Sequence, residues 1–362
     1  MARLFLFDGT AVAYRSHFAM MRSGLSAPDG RPTGATYGFT MALRRILREE
    51  SPDLVAVALD AKGPTFRPER FAEYKAARER APEEMIEQLQ DIRAIVEAHG
   101  IRLFELPGYE ADDVIGTLAT RAREAGHEVR IVTGDKDMMQ LVSDEVRLHN
   151  IFKQGVDLVI EGPDEVAEKF GTTPEHVIDV LAIMGDASDN VPGVKGIGEK
   201  GAKKLITEFG SVPTLLERIE EVKGKTREKI EDARENLALS LELVTIDTNV
   251  PLDPGLASVT GAEPDVPRLR TIFQDLDFRS LADEISGDVE ADGAGEREDV
   301  LVRDAAMLEA MIAELSDAGT YAWDTETTGL AALQVDLVGM SFCAEAGKAY
   351  YVPFNLDPPV LE

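Results

Sequence analysis

The chain has 362 residues, with 67 acidic against 38 basic side chains and a net charge of −29 at pH 7. Its length calls for roughly two or three domains, and its 44% apolar share builds a core and excludes wholesale disorder. One cysteine, Cys343, and five scattered histidines exclude a disulfide framework and a Cys- or His-based metal centre. No apolar run reaches the ~20 residues of a membrane span, no secretory leader opens the chain, and a cytoplasmic protein with no membrane partner is expected. The acidic surplus also argues against a nucleic-acid partner, which ordinarily draws basic domains.

The runs at 3–7, 53–59 and 128–133 are short, apolar and bounded by turn residues, the pattern of buried strands in a parallel sheet. Stretches 34–49, 83–99 and 111–125 carry apolar residues at helical spacing, with Met85, Ile86, Leu89, Ile92 and Val96 forming one stripe. This alternation predicts an α/β domain over 1–165, a mostly parallel sheet with flanking helices. From 166 to 285 short helices punctuated by Gly and Pro replace the strands. Two basic stretches lie there, Lys195 to Lys204 and Lys223 to Lys229, and a small helical subdomain is expected. Residues 286–300, rich in Gly, Asp and Glu, read as a linker. Beyond it, a helix at 306–315 and strands near 320–327 and 335–343 predict a second α/β unit over 301–362, too short to enclose much core.

Asp8, Asp60 and the pair Asp135 and Asp137 each follow a predicted strand, so a parallel sheet gathers them on the edge where ligands bind. Glu110, Asp112 and Asp113 open the helix at 111, and Asp186 and Asp189 stand one helical turn apart. Singly, each has a plainer reading, because acids favour a first helical turn and Asp–Gly makes turns. Together, such carboxylates raise one another's pKa unless a cation lies between them. Without His or Cys, that cation is a hard one, Mg²⁺ or Mn²⁺. Enough acids for two ions suits phosphodiester chemistry.

The segments LFLFDGTAVAYRSHFA, LDAKGPTFRPERFAEYKAARERAPEE, PGYEADDVIGTLA, VTGDKDMMQL and MGDASDNVPGVKGIGEKGA occur in this order. Over residues 2–285 they closely resemble the 5′ nuclease domains of the flap endonuclease family, as found in bacterial DNA polymerase I. The resemblance implies a PIN-like or resolvase-like fold. It also implies metal-dependent 5′–3′ exonuclease and 5′-flap endonuclease activity on DNA, and on RNA primers paired to DNA, in replication and repair. By the same resemblance Asp8, Asp60, Glu110 and Asp112 hold the first metal group, while Asp113, Asp135, Asp137, Asp186 and Asp189 serve the second. Two or more divalent ions are expected, in a monomer acting on DNA with 5′ flaps, nicks or 5′ ends.

Residues 191–205 carry the Gly196-Ile197-Gly198 core of a helix-hairpin-helix. The glycines let backbone N–H groups approach a phosphate, and Lys195, Lys200 and Lys203 add charge; a plain Gly-rich turn is the alternative. In the family this motif grips duplex DNA without reading its sequence, with a bound K⁺. Residues 66–80 mix Arg67, Arg70, Lys75, Arg78 and Arg80 with Phe66, Phe71 and Tyr74. Charges along a backbone and rings on bases suit a single strand, although a solvated amphipathic helix explains the pattern as well. The resemblance makes this stretch the arch over the active site, with Lys75 and Arg67 as catalytic residues near the scissile phosphate. Arg70, Tyr14 and Arg15 become further substrate contacts.

Asp324 and Glu326, in YAWDTETTGL, make 300–362 similar to the start of a DEDD-type 3′–5′ exonuclease domain, a truncated ribonuclease H-like α/β fragment. The further acids that activity needs are absent from the sequence, so this segment is expected to be inert and the chain to be part of a longer polymerase. Two competing readings are a non-catalytic module for branched DNA and a nuclease acting on RNA alone. The acid set speaks against the first and the hairpin against the second. The charge is also unevenly placed: 66–80, 195–204 and 223–229 are basic and 287–300 acidic, so its sum misleads about partners.

Overall fold

Strand β1 (Arg3–Asp8) sends Leu4 and Leu6 to one core and Phe5 and Phe7 to another, so it is covered on both faces. In the computed structural model of the chain, which describes residues 1–78, 81–151, 159–285, 298–329, 336–345 and 347–354, β1 lies at the centre of a six-stranded sheet. Its neighbours are β2 (Leu54–Ala58) and β4 (Glu128–Val132), both parallel to it. β3 (Arg102–Phe104), β5 (Val146–Asn150) and β6 (Val159–Glu161) extend the sheet, in the order β3-β2-β1-β4-β5-β6. Only β6 runs antiparallel.

One face of the sheet carries α1 (Gly9–Met20), α2 (Gly34–Glu50) and α4 (Glu83–Ala98). The short α3 (Phe66–Arg70) lies between β2 and α4 in the chain. Along α4 the stripe Met85, Ile92 and Val96 is buried, whereas Ile86, expected in that stripe, is 44% exposed. The opposite face carries α5 (Ala111–Glu124), and its core continues into α6 (Pro163–Phe170), α7 (Val177–Met184), α8 (Glu199–Phe209), α9 (Val212–Glu217) and α10 (Lys225–Asp232). α11 (Arg234–Val244) packs on α7. One cluster of buried side chains thus runs from Leu4 to Val259, and Met1–Ala282 forms a single compact unit. The boundary expected at 165/166 falls inside α6, and the core runs across it.

The second unit begins at Asp283. β7 (Glu298–Leu301), β8 (Ala322–Thr327), β9 (Leu337–Glu345) and β10 (Lys348–Pro353) form a sheet in the order β7-β10-β9-β8, with a helix at Ala305–Ala318. Its core is small: Val302, Met311, Leu315, Tyr350 and Val352. Asp324 and Glu326 stand exposed on β8. The linker expected over 286–300 ends earlier, because Glu298 to Val300 pair with β10. The rest of it, residues 286–297, lies outside the described residues, as does Arg80.

Candidate metal centre

Asp8 closes β1 and caps α1, its Oδ1 accepting from the Ala11 N–H at 3.0 Å, a contact worth about 1 kcal/mol. Gly9 follows because nothing larger fits: a Cβ there would lie 2.7 Å from Leu59 and Val57 side-chain atoms and 2.8 Å from the Ala58 carbonyl. The Asp8 Oδ2 accepts from the Thr133 hydroxyl at 2.8 Å, and that hydroxyl accepts from the Asp135 N–H at 3.0 Å. Thr133 is fully buried at the end of β4, so one side chain fixes acids from two strands. Asp60 is placed by two bonds. Its N–H donates to the Thr10 hydroxyl at 2.9 Å, and its Oδ1 accepts from the Ala111 N–H at 2.8 Å, at the start of α5.

Asp8, Asp60, Glu110, Asp112, Asp135, Asp137, Asp186 and Asp189 line a single cleft of about 770 Å³ at the C-terminal ends of β1, β2 and β4. Burial, with Asp135 and Asp60 alongside, pushes the Asp8 carboxyl up to about 7 against hydrogen bonds that pull it down. Burial and then Asp8, Asp135, Glu110 and Asp60 push Asp112 well above the usual range. Asp137 is likewise raised to about 7, by burial and then by Asp135 and, further off, Asp186 and Asp189. One of its oxygens, Oδ1, is buried without a hydrogen-bond partner. The acids therefore form two groups that meet at Asp135. Asp186 behaves differently: burial opposes its charge, but the Ser188 bonds, Lys136 and the Asp189 N–H together outweigh burial and hold it below its ordinary value.

The cleft lining includes no His or Cys, and an all-carboxylate donor set fits a hard divalent ion. Among the described residues no three of these acids stand close enough to make a ready cage for one ion. Cations lie between them instead: Lys75 Nζ is 2.8 Å from Glu110 Oε1, Arg78 2.7 Å from Asp189 Oδ1 and Lys136 3.5 Å from Asp186 Oδ2.

Two expected site residues are already committed to protein partners. Asp113 is fully buried and absent from the cleft lining. Its Oδ1 accepts from Arg67 and the Asp247 N–H, and its Oδ2 from Arg67 and the Glu110 N–H, so it has little left for a metal. Arg67 reaches the cleft wall but is 2% exposed. Its five N–H groups go to Asp113 twice, to the carbonyls of Leu243 and Thr245, and toward Glu110 at 3.3 Å. In this arrangement it orders Glu110 and the chain behind it. Tyr74, expected to stack on bases, is also buried, with its hydroxyl 3.3 Å from Glu110 Oε2.

The rim residues are open. Tyr14 is 44% exposed beside the cleft, Arg15 donates to the Gly134 carbonyl at 3.0 Å, and Arg70 pairs with Glu242. In the hairpin, Gly198 caps α8 and Ala202 packs into the core, while Lys195 and Lys200 are exposed and Lys203 pairs with Glu199. Gly196 has φ +79°, and Lys229 Nζ donates to its carbonyl at 2.9 Å. The ammonium takes one of the two acceptor sites of that carbonyl. Sequence reasoning missed Thr133, Thr10 and Lys136. Thr133 had one signal, a hydroxyl two residues before an acid at a strand end.

Residues 3–171 match the family model described as the 5′-3′ exonuclease, N-terminal resolvase-like domain, and residues 172–267 match its C-terminal SAM fold. The chain belongs to the 5′–3′ exonuclease family. As a family member it is a nuclease, a hydrolase of phosphodiester bonds. It is 39% identical over 356 residues to DNA polymerase I of Bacillus subtilis, covering 98% of this chain and 40% of that one. It is 45% identical over 283 residues to the thermostable DNA polymerase I of Thermus thermophilus, covering 78% and 33%. The chain thus spans well under half the length of these relatives. Among solved structures, the T5 5′-exonuclease with bound zinc ions superposes with a TM-score of 0.58 at 23% identity, over 79% of this chain and 98% of that one. The catalytic core of Rad2 in complex with DNA substrate gives 0.51 at 15% identity, over 78% and 91%. At these identities the likeness concerns the fold.

Proposed function

We propose that this 5′–3′ exonuclease family member is the divalent-metal-dependent 5′ nuclease part of a DNA polymerase I. It trims 5′ ends and cuts 5′ flaps on DNA, and removes RNA primers paired to DNA, as a monomer in the cytoplasm. The observation that carries this reading is the convergence of eight carboxylates from distant segments onto one cleft at the sheet edge. Burial first and neighbouring acids second raise Asp8, Asp112 and Asp137, groups that Lys75, Arg78 and Lys136 do not pair, and added positive charge beside them favours their ionised form.

Asp8, Asp60, Glu110, Asp112 and Asp135 would hold one divalent ion and Asp137, Asp186 and Asp189 a second, and such ions would supply Lewis acidity toward phosphate oxygens and a lowered pKa for water. The protein's own residues position and compensate. Lys75, now on Glu110, is free to exchange that carboxylate for a phosphate oxygen as charge develops there. Thr133 and Thr10 hold the acids at set separations. Tyr14 presents a ring at the rim for an unpaired base. Lys195 and Lys200 on the hairpin attract the duplex backbone irrespective of sequence.

The deciding experiment is cleavage of a 5′-flap duplex in Mg²⁺ or Mn²⁺ and in EDTA, by the wild type and by Asp135→Asn. Cleavage that needs the metal and falls by orders of magnitude in the variant supports the reading. Tight binding of the branched duplex with no cleavage in either metal makes the chain a binding module instead.

A further inference from the structure

The loop after α7 closes on itself. Asp186 and Val191 exchange backbone bonds at 3.1 and 2.8 Å. Within the loop, Asp186 Oδ1 accepts from the Ser188 N–H and hydroxyl, each at 2.7 Å. Asn190 sits at φ +61°, where an ordinary side chain costs about 1 kcal/mol or more and Gly costs nothing. Backbone geometry alone would favour Gly there. What Asn adds is its amide: Nδ2 donates to the Glu73 carbonyl at 2.9 Å, across 117 residues of sequence. Its partner is a carbonyl, so the amide orientation is not in question.

The opposite strand of this contact answers in kind. Lys75 also has positive φ, +56°, and its N–H donates to the Asp189 carbonyl at 2.9 Å. Arg78 pairs with the Asp189 carboxylate at 2.7 Å. Inside the segment from Phe71 to Arg78 the backbone bonds shown are local turns: Tyr74 to Phe71, Ala76 to Glu73 and Arg78 to Lys75. Its hold on the rest of the molecule comes from Phe71 N–H on the Arg67 carbonyl, from Tyr74, packed with Val191 and Leu243 and bonded to Glu110, from the ion pairs of Lys75 with Glu110 and Arg78 with Asp189, and from the reciprocal pair of bonds made by Asn190 and Lys75. In that reciprocal pair, the backbone of one side and the side chain of the other bridge the two segments directly.

We propose that Asn190 is a positioning residue whose amide latches the segment 71–78 onto the loop 186–191, so that Lys75, Arg78 and Asp189 enter the cleft as one unit. The functional half of this proposal rests on the nuclease reading above; the latch itself does not. Arranging the cation-bearing segment and the second group of acids together avoids leaving Asp189 without a counter-charge while the segment is elsewhere.

The test uses the full chain. Amide hydrogen exchange of residues 71–78 is measured without metal or DNA, and flap cleavage is measured over a Mg²⁺ series. The variants are Asn190→Gly, which keeps the backbone conformation and loses the amide, and Asn190→Asp, which sets a carboxylate against the Glu73 carbonyl. Both should speed exchange at Lys75 about tenfold or more, the value of roughly one net hydrogen bond. Exchange in β4 should stay at the wild-type rate and report that the fold is intact. Both variants should need several-fold more Mg²⁺ for half-maximal cleavage. Unchanged exchange at Lys75 in both variants overturns the latch, whatever cleavage does. Faster exchange with an unaltered Mg²⁺ requirement overturns the positioning role. A wild type that never cleaves overturns the nuclease reading and the positioning role with it, while the exchange result still decides the latch.

Discussion

Arg67 and Asp113 meet through two parallel N–H···O bonds of 2.8 Å, both side chains out of water. Such a fork is the strongest form of ion pair, and it repays its desolvation only while both partners are present. It ties α3 to α5 and, through the Leu243 and Thr245 carbonyls, to the end of α11. Asp113→Asn should therefore lower stability by about 3–5 kcal/mol, read from urea unfolding in EDTA. Were Arg67 a substrate contact, Arg67→Lys would lose cleavage at unchanged stability; the expected result is lost stability.

Thr133→Val removes the hydroxyl that joins Asp8 to the Asp135 backbone at almost constant volume. The Mg²⁺ concentration for half-maximal cleavage should rise roughly 10- to 100-fold, the usual effect of losing a group that orients metal ligands. Thr133→Ser should restore most of it.

Asp137 carries a buried oxygen without a partner and a carboxyl pushed up to about 7 by burial and by Asp135. Asp137→Asn relieves that repulsion, so the thermal midpoint in EDTA should rise, by roughly 1 kcal/mol of stability. The same variant should lose metal-dependent cleavage. A destabilised variant would show that the repulsion is already relieved in the metal-free protein.

His99 is buried in the turn after α4, its Nδ1–H donating to the Ile95 carbonyl at 2.7 Å and its Nε2 without a partner. Burial, aided by Arg44, lowers it to about 4 from 6.5. The folded state thus binds its proton less readily than the unfolded state does. The stability this confers is complete above about pH 6.5 and is lost as pH falls toward 4, to the extent of about 3 kcal/mol. His149, also lowered to about 4 by burial, acts in the same direction. Asp8 and Asp137, raised to about 7, act in the opposite direction over the same range, so the check is a difference: in urea unfolding in EDTA, His99→Gln should lose about 3 kcal/mol less stability than the wild type as pH falls from 7 toward 4.

Gly9→Ala tests the fit of the first turn of α1 against β2. The added methyl meets Leu59, Val57 and the Ala58 carbonyl at 2.7–2.8 Å, the last of which is backbone and cannot move aside. A loss of roughly 1–3 kcal/mol is expected, measured by thermal unfolding, together with weaker metal binding as Asp8 shifts.

The strands β1, β2 and β4 and the acids at their ends were legible because a fully buried parallel strand is a short apolar run and its C-terminal edge is where ligands gather. β3, with three residues, and β5, whose sequence VRLHN interleaves polar and apolar side chains, carry no such run and form because the sheet supplies partners. The one misplaced acid had a local clue. Adjacent residues of a helix stand about 100° apart, so Asp112 and Asp113 point in different directions. Which of them turned inward depended on Arg67, 46 residues away, and no local pattern reports that. The basic segment 66–78 was likewise read by composition, whereas Tyr74 and Arg67 are consumed by Glu110 and Asp113.

The sheet order carries a consequence for synthesis. The central strand of this sheet is synthesised before either of its neighbours, and the second of them, β4, ends at Val132. Until β4 has emerged, Leu4 to Phe7 present one unpaired, fully apolar edge, the type of edge that recruits other chains. Nascent products stopped between β2 and β4 should therefore aggregate or bind a holdase, whereas products extended past β5 should not. A series of stalled chains scored for solubility would place the transition near the emergence of β4.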